Sequence, residues 1–215
     1  MQNLKYEVFP NEDLKPNSLV FLLHGIGADA SDLVPLAKYW STNLKKTKFY
    51  SLNAPYPYKL APFGRQWFDL EDRDQTRILN EIELVKPMII TFLKEKLKKY
   101  NLQYKDLILV GFSQGTMVAL NLALTIKEEL RGVLGYSGGV ILTKSGKIEI
   151  NSKPKICLIH GKEDEVVPKK MMESTEIVLK DSNINIDTHL IENLGHSINQ
   201  EGLEIGQNFL VKYLL

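Results

Sequence analysis

The 215-residue sequence holds a single cysteine, Cys157, so it has no internal disulfide framework and its fold must rest on an apolar core. That cysteine usage fits a reducing compartment. No apolar run approaches the roughly 18 residues of a membrane helix. The opening stretch Met1-Gln2-Asn3-Leu4-Lys5-Tyr6-Glu7 lacks the basic-then-apolar pattern of a secretion signal. The expectation is a cytoplasmic protein with no integral membrane association. An excess of one charge is missing too. Lys and Arg total 27 against 26 Asp and Glu, a net +1, which argues against nucleic acid as a partner. Metal-binding spacings such as H-E-x-x-H or paired cysteines are absent, so no metal is expected. Gly139 to Lys147 has the wrong spacing for a phosphate-binding loop.

What is present is ordinary for a globular protein: 44% hydrophobic and 25% charged residues. A chain of this length buries about 70% of its unfolded surface. Residues 1–215 therefore read as one domain, without repeats, low-complexity tracts or linkers. Ser18 to Leu23, Lys48 to Leu52, Asp106 to Val110, Gly132 to Tyr136, Lys155 to Ile159 and Ile186 to Ile191 read as strands, several of them apolar on both faces. Leu4 to Phe9 suits an edge strand. Helical spacing covers Asp32 to Leu44, Arg77 to Tyr100, Thr116 to Ile126, Pro168 to Lys180 and Ile198 to Tyr213. Pro87 should kink or split the long helix. The lysine-rich stretch Lys94 to Lys99 reads as its solvated face. Alternating strands and helices predict an α/β fold with a mostly parallel sheet and helices on both faces. No gap is long enough for a cap domain.

The sharpest local signal is Gly111-Phe112-Ser113-Gln114-Gly115. It matches G-x-S-x-G and lies between an apolar strand and a helix, the context that motif requires. A tight strand-to-helix turn forces strained backbone on the serine and leaves no room for side chains at its flanks. The turn lifts the hydroxyl to a helix N-terminus, where developing negative charge is favoured. Ser113 is thus the candidate nucleophile.

A serine hydroxyl needs a base. His24 comes too early for the order Ser…Asp/Glu…His that goes with this turn. His160 ends a strand with no acid partner evident, and His189 lies inside a strand. His196, in the loop Asn193-Leu194-Gly195-His196-Ser197 after the last strand, is the candidate base. The base needs an acid to orient it. Asp164, in the loop after the strand ending at Ile159, is the candidate, with a helix-capping role as its alternative. Glu163 and Glu165 should point away. The spacing leaves two strand–helix units between Ser113 and Asp164 and one between Asp164 and His196, so all three reach one edge of the sheet. The oxyanion of an acyl-transfer intermediate needs two backbone N–H donors. Gln114, after the nucleophile, and Ile26, in His24-Gly25-Ile26-Gly27, are the candidates. Because the base must be neutral to accept a proton, activity should fall on acidification.

These blocks resemble the phospholipase/carboxylesterase family, which includes acyl-protein thioesterases and small bacterial carboxylesterases. The resemblance rests on Leu23-His24-Gly25-Ile26-Gly27-Ala28-Asp29 with Asp32, Gly64-Arg65-Gln66-Trp67-Phe68-Asp69, Gly111 to Gly115, His160-Gly161 with Asp164 and Val167-Pro168, and Gly195-His196. It implies a capless α/β-hydrolase fold and cofactor-free hydrolysis of carboxylic esters or thioesters. Ser113, Asp164 and His196 would be the triad, and Ile26 and Gln114 the oxyanion donors. The implied substrates are small-molecule or lipid acyl esters and thioesters, including acylated proteins, and a homodimer is implied as well. Ile26 stands where the family usually has leucine, a change a backbone donor tolerates. Trp67 and Phe63, in the aromatic loop Tyr56 to Phe68, could wall an acyl pocket or pack as the loop's own core. Val140 and Ile141 are a second candidate wall.

Two rival readings remain. Gly25-Ile26-Gly27-Ala28-Asp29-Ala30 also fits the dinucleotide fingerprint, but the next strand ends at Ser51-Leu52-Asn53 without the acid that would hold a ribose. A non-catalytic lipid- or partner-binding protein of the same fold is the other, and it would usually lack one of the three residues named above.

Overall fold

The computed structural model describes residues 4–11, 14–71 and 74–215. Its strands, in chain order, are β1 (Tyr6–Phe9), β2 (Ser18–Leu23), β3 (Thr47–Leu52), β4 (Tyr56–Pro57), β5 (Arg65–Gln66), β6 (Leu107–Phe112), β7 (Gly132–Tyr136), β8 (Lys155–Gly161) and β9 (Ile186–Ile191). The helices are α1 (Val34–Ser41), α2 (Gln75–Tyr100), α3 (Gln114–Thr125), α4 (Lys170–Asp181) and α5 (Gln200–Leu214). A seven-stranded sheet runs β1-β3-β2-β6-β7-β8-β9. Its pairs are parallel, except that the edge strand β1 lies antiparallel to β3. This is the α/β-hydrolase architecture, and no separate cap domain occurs among the described residues.

The sheet is buried on both faces because its strands carry apolar side chains at consecutive positions. Leu19, Phe21 and Leu23 of β2 join Leu107 and Leu109 of β6 in a core shared with α2, α3 and α4. Val20, Leu22, Ile108 and Val110 point the other way, to Trp40 of α1 and Phe209 and Leu210 of α5. The period of two in the strands thus divides one run of apolar residues between two cores.

Three sequence expectations change. Helix α2 runs unbroken through Pro87, starting from an Asp74 cap that accepts hydrogen bonds from Thr76 N and Arg77 N. Ile82, Val85, Ile89 and Leu93 on its buried stripe hold the helix to the core, while Glu83 and Pro87 face solvent. The carbonyl that proline leaves without an N–H thus belongs to a residue on the solvent side, where its loss of a partner costs least. Lys96 is not part of a solvated face. It is buried, with Nζ 4.7 Å from the ring centroids of both Tyr6 and Phe92 and 2.8 Å from Glu95 Oε1, so cation–π attraction compensates its desolvation. The Tyr56 to Asp74 loop contains the two-residue ladder of β4 and β5.

Candidate active site

Strand β6 delivers Ser113 to a sharp turn. Ser113 has φ 53° and ψ −116°, left-handed backbone that is strained for a residue with a side chain. The turn is tight because β6 feeds straight into α3. A Cβ at Gly111 would strike Thr116 N, and one at Gly115 would strike the Leu23 carbonyl oxygen, so glycine is required at both flanks. Ser113 N–H donates to Tyr136 O at 2.9 Å, which pins the turn to the end of β7. The residue is 5% exposed.

The loop after β2 lies beside this serine: a Cβ built on Gly25 would sit 3.4 Å from Ser113 Cβ. Gly27 adopts φ 81°, and its N–H donates to Arg65 O at 2.9 Å. Arg65 N–H donates to Ala28 O at 2.8 Å, so β5 clamps the loop from outside. Beneath it, His24 Nδ1 donates to Gly25 O at 2.7 Å and Nε2 accepts from Ala54 N–H at 3.1 Å. Those partners require the neutral, Nδ1-protonated ring. Burial is the main cause that holds His24 below its ordinary pKa of 6.5. The Trp67 indole N–H donates to His24 O at 2.9 Å. The Gln114 side chain accepts from Trp67 N–H and donates to Phe68 O, each at 2.7 Å. Meanwhile the backbone N–H groups of Ile26 and Gln114 meet no protein acceptor among the described residues. The amide of Gln114, next in sequence to Ser113, and that of Ile26, one residue past Gly25, are thus left free on a cross-braced scaffold.

Asp164 and His196 come together across the loops that follow β8 and β9. Asp164 Oδ2 accepts from His196 Nδ1 at 2.7 Å; the carboxylate is fully buried and the imidazole is 17% exposed. Asp164 Oδ1 accepts from Val166 N–H at 3.0 Å and Val167 N–H at 2.8 Å. The carboxylate therefore braces its own loop with one oxygen and holds the imidazole with the other; it caps no helix, because α4 begins at Lys170 behind Lys169. Burial pushes its pKa up, but the bonds from His196 and Val167 and the neighbouring imidazoles outweigh it and hold Asp164 below 3.8. Glu163 and Glu165 are exposed. The His196 ring packs on Phe112, with ring centroids 4.9 Å apart, next to the nucleophile turn. Among the described residues no hydrogen bond joins His196 Nε2 to Ser113 Oγ.

The remaining candidates separate. Trp67 and Phe68 are fully buried and pack as core. Phe63 is 87% exposed and lines a cleft of about 470 Å³ together with Asp29, Ala54, Gly64, Arg65 and Met88. Val140 and Ile141 are buried just beyond β7, and Val140 N–H donates to Thr175 Oγ1. Cys157 is a core residue whose thiol burial pushes up to about 12. His160, read from the sequence as a strand end without an acid partner, does meet one. It is buried, with Nε2 2.7 Å from Val167 O and 3.3 Å from Asp164 Oδ2. The signal was its four-residue spacing from Asp164 across the end of a strand.

The sequence profile of the phospholipase/carboxylesterase family matches residues 4–214. The chain belongs to this family. That places it among carboxylic ester hydrolases. It is 25% identical to acyl-protein thioesterase 1 of Gibberella zeae, with 96% of this chain and 94% of that protein covered. It is 21% identical to the esterase YpfH of Escherichia coli, covering 94% and 86% respectively. The crystal structure of esterase PE8 superposes with a TM-score of 0.92 at 36% identity, over 99% of this chain and all of that one (100%). The Bacillus cereus carboxylesterase, at 20% identity and a TM-score of 0.78 over 98% of this chain and 94% of its own, shares the fold.

Proposed function

We propose that the chain hydrolyses carboxylic esters or thioesters through an acyl-enzyme formed on Ser113. Ser113 Oγ attacks the carbonyl carbon while its proton passes to His196 Nε2. The carbonyl electron pair moves onto oxygen, where the Ile26 and Gln114 amides receive it. Collapse breaks the bond to the alcohol or thiol, which leaves with the proton from His196. Water then attacks the acyl carbon, gives a proton to His196, and the acid departs as Ser113 regains its hydrogen. Asp164 keeps the imidazole in the Nδ1–H tautomer and stabilises it when charged. The Ser113–His196 bond is the one arm not closed in this structure, and such bonds commonly tighten only around substrate.

The observation that carries this reading is the strained Ser113 turn with two unengaged amides beside it. The cleft at Phe63, which also touches Asp29 of the loop after β2, is the proposed place for the acyl group. Val140 and Ile141, buried just after β7 whose end is pinned to the Ser113 turn, are the proposed second wall. Lipid esters and acylated proteins are the proposed substrates, on the strength of the acyl-protein thioesterases among the relatives. No helix among the described residues is long and apolar enough to cross a membrane.

The test is a serine-directed phosphonate probe with mass spectrometry of the labelled peptide. Label is expected on the peptide carrying Ser113. Ser113→Ala should abolish labelling and lower kcat/KM by roughly 10³-fold or more with the fold intact. Label elsewhere, or near-wild-type turnover by Ser113→Ala, would remove the reading. A chain-length series of p-nitrophenyl esters and acyl thioesters then defines the substrate.

A further inference from the structure

A second histidine meets the carboxylate that holds His196. His160 lies in the last turnward residues of β8 and is 1% exposed. Its Nε2 lies 2.7 Å from Val167 O, which can only accept, so Nε2 carries the hydrogen. The same atom lies 3.3 Å from Asp164 Oδ2, the oxygen that accepts from His196. Val167 is therefore held twice, its N–H by Asp164 Oδ1 and its carbonyl by His160. His160 Nδ1 is buried with no hydrogen-bond partner. A buried orphan of this kind costs stability and offsets part of what the Nε2–H bond to Val167 O contributes.

We propose that His160 is a positioning residue for the hydrolytic site: its Nε2–H fastens the 164–167 turn and faces the carboxylate with positive charge density, so that Asp164 Oδ2 stays under His196 Nδ1. This rests on the triad reading above. Removing the Nε2–H frees Val167 O and takes one of the groups directed at Asp164 away. The carboxylate then swings, and His196 loses its tautomer and aim. The effect falls on the chemical step, because His160 touches no part of a substrate. Glutamine places a side-chain N–H where the histidine Nε2–H stands; leucine fills the space without a donor.

The experiment compares wild type, Ser113→Ala, His160→Leu and His160→Gln by steady-state kinetics on a p-nitrophenyl ester, by thermal unfolding, and by the downfield proton resonance of the His196 Nδ1–H. His160→Leu is expected to lower kcat roughly 10- to 100-fold, the scale on which partners of catalytic groups act, with KM barely moved. It should also shift or broaden the resonance. His160→Gln is expected to recover most of kcat and the resonance. Wild-type kcat in His160→Leu would overturn the proposal. So would equal losses in both variants that track the folded fraction. If neither variant folds, the ¹⁵N histidine spectrum of the wild type decides, since an Nδ1–H tautomer at His160 would overturn it. Activity retained by Ser113→Ala would instead strike the triad reading, while the resonance still reports on His160 and Asp164.

Discussion

The Trp67 indole donates to the carbonyl oxygen of His24 across 43 residues of sequence, at 2.9 Å and out of contact with solvent. That carbonyl sits two residues before Ile26, so an aromatic side chain of the long loop braces the strand end that presents a proposed oxyanion donor. Trp67→Phe keeps most of the packing and removes the N–H. It should cost about 1–3 kcal/mol through the unsatisfied buried carbonyl and lower kcat more than it raises KM. Urea unfolding and steady-state kinetics measure both. Unchanged stability would show that the bond contributes nothing.

The bracing has a pH signature. His24 is neutral in the folded protein with its pKa below 6.5. As pH falls below 6.5 the unfolded chain takes up a proton that the folded one resists. The stability this group confers is therefore complete above 6.5 and declines as pH drops toward the lowered folded value. Asp164 acts further down the scale, its contribution complete above 3.8 and lost as pH falls through its own lowered value. Urea midpoints between about pH 5 and 8 should drop on the acid side in the wild type and flatten in His24→Gln. Parallel curves would rule out His24 as the source.

Gly161 closes β8 against the His196 loop. A Cβ there would collide with the carbonyl oxygens of Leu194 and Gly195, and the same loop is tied down by Glu163 N–H to Leu194 O at 3.0 Å. Gly161→Ala must push that loop away from Asp164. The expectation is a loss of about 1–3 kcal/mol, typical of overpacking, and a larger proportional loss of turnover than of folded protein. Turnover that matched the wild type would mean the loop adjusts freely.

Phe63 tests the acyl cleft. At 87% exposure its side chain adds little to the fold, so Phe63→Ala should leave stability within about 0.5 kcal/mol. Its selectivity across short and long acyl esters should shift toward shorter chains. An unchanged profile would exclude Phe63 as a wall.

The strands were legible because burial on both faces leaves long apolar runs. β2, β7 and β9 match the sequence reading at both ends, and β8 runs two residues further than the pattern suggested. Pro87 does not split α2, because the residue whose carbonyl it frees lies on the solvent side of the helix. Lys96 misled because the rings that receive it come partly from β1, ninety positions away in sequence. The Asp164–His196 pair was legible from chain order, since loops at the carboxyl ends of parallel strands converge whatever their sequence separation.

By itself the sequence determined the alternation of elements, the glycine-flanked turn at Ser113 and the order of the three polar residues, because these depend on local sterics and on periodicity. Only the tertiary structure decided which groups brace them. Trp67 on His24, Gln114 on the 67–68 backbone and His160 beside Asp164 are hydrogen bonds between buried atoms brought together by packing. Such contacts depend on the distances between elements, which no local pattern of residues encodes.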